Sequence, residues 1–293
     1  MPFENASEDR SLYWVGEAIA EGLTREILLA GGAALEREDR ESVRTDMGVP
    51  TLSVMTLASQ IQAADEMGAA VLVTGRFGST EQTLTVSARV IDVAAGRTGG
   101  WIEVGGSSRD ILALQRDLLR ALRPHLPLHG ARPASAVSPE DGVPQAAYET
   151  LIKSHLEDFP ETREKLLRRT IEIAPGYLRA RIELAELYRS AGKLEKAAET
   201  LSNLATTDAS LAAAAQNLLA EIEMDLGHSE RAEDSLRRSL SLRDTARAHL
   251  LLARLALQRG DVQTASREAD RARSLDPLES DLADIEDALA APR

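Results

Sequence analysis

The sequence of 293 residues predicts two parts: a small α/β domain at the amino terminus, then an all-α solenoid of helical hairpins. Three observations predict it. First, Gly192, Gly227 and Gly260 each close an apolar helical run, and an alanine follows five residues later at Ala197, Ala232 and Ala265. The glycine steps of 35 and 33 residues fall in the period range of helical-hairpin repeats, far from heptads or β-blades. Second, residues 71–104 break into short β-type runs separated by turn residues. Third, residues 127–143 are rich in proline and glycine and show no apolar period, the composition of a linker.

The amino-terminal elements follow in order. The start Met1-Pro2-Phe3-Glu4-Asn5 reads as the end of a strand, so the first strand of the domain, residues 1–126, is expected to be truncated, with a natural segment missing before it. A helix over 12–30 places Trp14, Val15, Ala18, Ile19, Leu23 and Ile27 on one face, capped by Ser7 or Ser11 and ended by Gly31-Gly32. A short strand at 33–35 and a helix around 40–47 come next. Leu57, Ile61, Ala64 and Met67 then recur at helical spacing, and Gly68 stops that helix. Strands are expected over 71–73, 84–93 and 101–104, joined by turns at 78–82 and 94–97. Ile111, Leu114, Leu118 and Leu122 give the last helix its apolar stripe, which makes the domain a small mixed sheet with flanking helices.

The repeats are predicted at 144–176, 178–209, 213–244 and 246–277. In the clearest one, Leu184, Ala185 and Tyr188 line a first helix, Gly192 makes the turn, and Leu194, Ala197, Leu201 and Leu204 line the second. Ala185 and Ala197 stand where the two helices approach most closely, so a larger side chain there should force them apart. The last repeat keeps the pattern with Ala253, Ala256, Ala265, Ala269 and the stop at Pro277, while the middle one has Glu223 in place of the aromatic residue. The first is degenerate, with a shortened junction at Asp158, Phe159 and Pro160. Residues 278–293 form an amphipathic segment with Leu282, Ile285 and Leu289 on one side, suited to cap an open solenoid end.

On these residues the C-terminal half resembles the tetratricopeptide repeat. The amino-terminal part resembles the TolB-like domain through Pro2-Phe3-Glu4-Asn5, the helix with Trp14, Gly16 and Leu23, Gly68-Ala69 before the strand to Gly75, and Arg89-Val90-Ile91-Asp92 before Gly96. That resemblance implies a bacterial protein and a periplasmic or cell-envelope location ahead of a cytoplasmic one, and it brings no catalytic set.

Composition narrows the functions. Hydrophobic residues at 43% and charged residues at 28% are those of a folded globular chain. A net charge of −13 repels phosphate backbones, so nucleic-acid binding is not expected. The pairs Arg168-Arg169 and Arg237-Arg238 are read as solvated helix faces. No cysteine is present, which removes disulfides and thiolate chemistry. No apolar run is long enough to span a bilayer, so this segment is not expected to insert in a membrane.

No site of reaction emerges. His125 and His129 have metal-ligand spacing, but Pro124 and Pro127 work against the helix that spacing requires. His155, His228 and His249 read as structural, and the Gly31-Gly32, Gly99-Gly100 and Gly105-Gly106 pairs lack the lysine of a phosphate loop. Asp92, just before a turn, caps that turn in preference to acting as an acid beside Glu103. The chain is therefore expected to be no enzyme, with no cofactor and no metal.

First helices of such hairpins line a concave side, and here they place on it Arg179, Ile182, Glu183 and Glu186, then Asn217, Leu218 and Glu221, then Leu250, Leu251 and Arg254. A partner protein or peptide held in this groove by an interaction scaffold is the function expected. The alternative is the sensory or regulatory portion of a larger protein whose DNA-binding, kinase or cyclase domain lies upstream.

Overall fold

The computed structural model describes residues 1–50, 53–80, 82–128, 140, 142–202, 208–277, 279 and 281–290. The chain divides into two compact units, Met1–Asp158 and Phe159–Arg293.

In the first unit, strands β1 (Glu4–Asn5), β2 (Val71–Ser79), β3 (Thr83–Asp92), β4 (Arg97–Thr98) and β5 (Ile102–Ser107) make one mixed sheet. β1 runs parallel to β2, with Glu4 beside Arg76, and the other pairings are antiparallel. The helices are α1 (Val15–Leu29), α2 (Arg37–Asp46), α3 (Leu57–Glu66), α4 (Ile111–Leu122) and α5 (Gln145–His155). Because strand side chains alternate, Leu84, Val86 and Ala88 of β3 enter one core with Ile19 of α1 and Leu114 and Leu118 of α4. Leu72 of β2 and Ile91 of β3 point the other way and pack on Ala64 of α3. Helices thus flank both faces of the sheet.

Several local expectations need correction. Residues 33–35 form no strand, and the following helix begins at Arg37, where Asp39 and Glu36 close a capping box. The strand expected from Trp101 begins at Ile102 and runs on to Ser107, while Trp101 stays half-exposed beside the Arg76 and Arg89 guanidinium groups, 5.5 and 4.6 Å from its ring centre. Asp92 does cap its turn, accepting from the Ala95 amide at 2.9 Å, and it pairs with Arg97. Glu103 instead accepts from the Ser87 hydroxyl. Glu81 of the first turn, most of the proline-rich segment and Leu204 lie outside the described residues.

The largest difference concerns α5. Its periodicity fits the first helix of a repeat hairpin, yet α5 belongs to the first unit and α6 (Pro160–Ile173) to the second. Tyr148 and Ile152 of α5 are fully buried in the core that holds Trp14 and Leu118. The Tyr148 hydroxyl accepts from Gln115 Nε2 at 3.1 Å and donates to the Ala18 carbonyl at 3.3 Å, which satisfies its polar end inside that core.

The second unit continues with α7 (Leu178–Ser190), α8 (Leu194–Thr200), α9 (Ala209–Asp225), α10 (Ser229–Leu242), α11 (Ala246–Gln258), α12 (Val262–Leu275) and α13 (Leu282–Ala290). Three hairpins, α7–α8, α9–α10 and α11–α12, share one turn. Gly192, Gly227 and Gly260 adopt φ of 70, 78 and 77°, where a side chain would be strained. The residue after each glycine donates back five positions, from Lys193 to the Tyr188 carbonyl, His228 to Glu223 and Asp261 to Ala256, at 2.7 to 2.9 Å. The alanines of the pattern, Ala185, Ala197, Ala220, Ala232, Ala253 and Ala265, are all fully buried, and Ala220 and Ala232 share one core cluster. α13 lays Leu282 and Ile285 against Leu250 and Ala269 and turns Asp284 and Asp287 outward.

Candidate interaction groove

The first helices α7, α9 and α11 stand side by side, and a groove of about 730 Å³ opens over them. Its floor is one stripe of α9. Ser210, Ala213, Ala214, Asn217, Leu218, Glu221 and Asp225 recur at three- and four-residue steps, so successive turns present them to the same side. Alanines keep the floor low where α9 begins. The last turn of α7 contributes Glu186, Arg189 and Ser190 to one wall, and Arg243, Thr245 and Arg247 form the other.

Charge is organised across the three helices. Glu221, only 8% exposed, accepts from Arg247 Nη2 at 2.7 Å through one oxygen and from Arg189 through the other. Arg189 also donates to Asp225 at 2.7 Å, and Arg247 to Asp281 at 2.9 Å. Burial works against both guanidinium charges, but the carboxylates overcome it: Asp225 and Glu221 raise the Arg189 pKa above its ordinary value, as Glu221 and Asp281 do for Arg247. One polar group is left over. Asn217 is 7% exposed, and its Oδ1 is buried with no hydrogen-bond partner among the described residues.

Of the residues the sequence places on the concave side, Glu186, Asn217, Leu218 and Glu221 line this groove together. Arg179, Ile182 and Glu183 sit in earlier turns of α7, with Arg179 bonded to Glu183 at 3.0 Å, and do not line it. Leu250 and Leu251 are corrected outright: at 2% and 1% exposed they belong to the packed interior, Leu250 under α13 and Leu251 against Met224 and Leu236. α11 is covered on both sides, which leaves no aliphatic face open there. Arg254 is half-buried and outside the groove lining. Arg189, Asp225 and Arg247 were not anticipated. The signal available was their position one turn from a helix end, where a long charged side chain reaches the neighbouring hairpin.

Three histidines face carboxylates. His155 meets Glu21 at 2.5 Å, His228 meets Glu223 at 2.7 Å, and His249 lies between Glu268 and Asp244, each at 2.7 Å. Among the described residues, no group of three or more His, Cys, Asp or Glu side chains stands where a metal ion could be held. No helix among them is long and apolar enough to cross a membrane. His129 lies outside the described residues.

Two family models for the tetratricopeptide repeat match the chain, over residues 158–222 and 213–245. The first begins beside α6, which agrees with α5 standing outside the array. The chain is also similar to solved structures. A thermophilic TPR protein from Thermus thermophilus shares 21% identity over 62% of this chain and 91% of its own, with a TM-score of 0.41. MamA shares 19% over 43% of this chain and 74% of its own, with a TM-score of 0.39. The APC/C hetero-tetramer Cut9-Hcn1 shares 14% over 62% of this chain and 33% of that one, with a TM-score of 0.43. No curated protein matches the sequence. Residues 158–245 thus match the tetratricopeptide repeat, a family whose members generally mediate protein–protein interactions.

Proposed function

We propose that this protein is a non-enzymatic scaffold that holds an extended segment of a partner protein or peptide along α9, in the groove between α7 and α11. The observation that carries the reading is Asn217. A carboxamide offers one acceptor and two donors, the complement of a peptide group, and the Asn217 oxygen is buried in the groove floor with nothing bonded to it among the described residues. Rotation of this side chain, 7% exposed at the groove floor, would bring the oxygen to a peptide N–H laid along α9 and satisfy it. Leu218 gives an apolar contact beside it, and the Glu186 and Arg243 charges on the two walls favour a segment of mixed charge in one register.

Selection of a random peptide library on the full chain tests this. Selected peptides should bind the Asn217→Ala variant about tenfold more weakly, the weight of one hydrogen bond of ~1.4 kcal/mol, while its melting temperature holds. Equal binding to both forms would sink the assignment.

The resemblance of residues 1–126 to the TolB-like domain, and with it a bacterial envelope location, belongs to the same proposal. Its support is that the residues carrying the resemblance meet. The Phe3 amide donates to the Gly16 carbonyl at 3.1 Å, a Cβ on Gly16 would lie 2.1 Å from the Phe3 oxygen, and one on Gly75 would lie 2.4 Å from the Phe3 ring. Protease digestion of intact spheroplasts should remove the protein, and its survival until lysis would count against the location.

A further inference from the structure

β4 and β5 follow one another along the same side of β3, and among the described residues no strand pairs with their other side. The hydrogen-bonding sense of this edge follows from one contact. The Ser108 amide donates to the Gln82 carbonyl at 3.1 Å, and that pair continues the β3–β5 register in which Thr83 faces Ser107. Bonded and non-bonded pairs alternate in an antiparallel ladder, so Ile102, Val104 and Gly106 turn their amides and carbonyls toward β3. Glu103 and Gly105 turn theirs outward, where they meet no hydrogen-bond partner among the described residues. Both residues are exposed.

The open stretch is short and bounded. A bulge closes one end: from Ala88 to Ile91 β3 advances three residues, while its partner advances four between Thr98 and Ile102. At the other end the Asp110 amide takes the Ser107 carbonyl. Between these limits β5 carries neither lysine nor proline, the residues that commonly blunt an edge, and Gly105 leaves the backbone bare. Side chains divide by face. Ile102 and Val104 pack, partly buried, against the core, whereas Glu103 on the opposite face accepts from the Ser87 hydroxyl at 3.2 Å and pairs with no cation among the described residues.

We propose that this edge pairs with an extended segment of a partner protein that places a lysine or arginine opposite Glu103 and β-branched residues on either side of it. Main-chain bonds to Glu103 and Gly105 supply the attachment. Opposite charge across the two strands sets the register, and the β-branched residues extend the face of Ile102 and Val104. A basic segment also suits a chain of net charge −13, which repels a second copy of itself. The inference is independent of the peptide groove, which lies in the other unit.

The probe is the end-blocked peptide Thr-Val-Tyr-Val-Lys-Val-Thr, added to the full chain, with amide hydrogen exchange read by NMR. The Glu103 and Gly105 amides should exchange freely in the protein alone and slow about tenfold or more with peptide, while the Val104 amide, already turned to β3, changes little. Methylating the lysine nitrogen of the peptide should weaken binding about tenfold, and methylating that of the valine before it, which faces solvent, should not. Gly105→Pro removes an amide that bonds nothing within the sheet and should abolish binding. If that variant fails to fold, the two methylated peptides still decide. No slowing at Glu103 and Gly105, or equal weakening by the two methylations, would overturn the proposal. So would slow exchange of these amides in the protein alone, deepening with its concentration, which would put a second copy on the edge.

Discussion

Arg247 donates through both Nε and Nη2 to a single oxygen of Glu221, at 3.1 and 2.7 Å, tying the first helix of one hairpin to that of the hairpin before it. The other Glu221 oxygen accepts from Arg189, one hairpin further back. In a solenoid, each repeat is stabilised by its own fold and by the interface with its neighbours. A carboxylate bonded on both sides therefore contributes to two interfaces at once.

Replacing that carboxylate should loosen the array. Glu221→Ala leaves two arginines, 29% and 30% exposed, with fewer partners, and should cost about 2 kcal/mol, below the ~3–5 kcal/mol seen when a fully buried pair is broken. Urea unfolding of the full chain followed by circular dichroism measures it. An unchanged midpoint would show that the bonded chain of charges is not structural.

The alanine seam makes a separate prediction. Ala232 is fully buried opposite Ala220, so Ala232→Leu should force α9 and α10 apart at a cost of about 1–3 kcal/mol. Gly227→Ala acts on the same hairpin through the backbone, since φ there is 78°, and should cost about 1 kcal/mol. If either variant melts with the parent, the close approach of these helices is not needed.

The place of α5 predicts where the first unit can be cut. Tyr148 and Ile152 fill its core, so a fragment of residues 1–158 should unfold cooperatively, while a fragment of 1–126 should lose fixed tertiary structure. Fluorescence of Trp14 and Trp101, the two tryptophans of the chain, reports on this unit alone. Cooperative unfolding of the shorter fragment at the same midpoint would contradict the assignment.

This element also marks how far the sequence could be read. The repeat array was legible because its information is local: a glycine at the turn, an alanine five residues on, an apolar period between them. α5 carries the same local pattern, and Ala147, Tyr148 and Leu151 suit a repeat hairpin as well as they suit α1. Which surface it covers is decided by partners more than a hundred residues away, as in the 130-residue separation of Tyr148 from Ala18. α2 was expected as a helix, but the face it turns inward was illegible for a different reason. Its inward residues are Arg40 and Arg44, 4% and 2% exposed, and charged side chains read as solvated in any apolar-period scan. In the candidate groove, α9 was readable from its helical register. Leu250 and Leu251 were misplaced because the register of α11 does not say that α13 and the preceding hairpin cover it.

Acid should act on the first unit through Glu21. Burial pushes its pKa up, but the nearby His155 and Arg25 outweigh burial and hold it below the ordinary 4.5. A carboxyl with a depressed folded pKa stabilises the fold above its unfolded value and loses that contribution as pH falls through the folded one. Stability of the unit should thus decline below pH 4.5, and the decline should be shallower in Glu21→Gln. Tryptophan-detected urea midpoints across about pH 3 to 6 measure this, and parallel profiles for both forms would exclude the role of Glu21.

Capture of another chain in the hollow over α9 can be followed residue by residue. Chemical-shift mapping of the full chain, with a library-selected peptide added, reads every helix of the second unit at once. The largest shifts should fall at Asn217, Leu218, Arg189 and Arg247, on the first helices of the hairpins. Shifts confined to α8, α10 and α12, with Asn217 unmoved, would contradict capture in this groove.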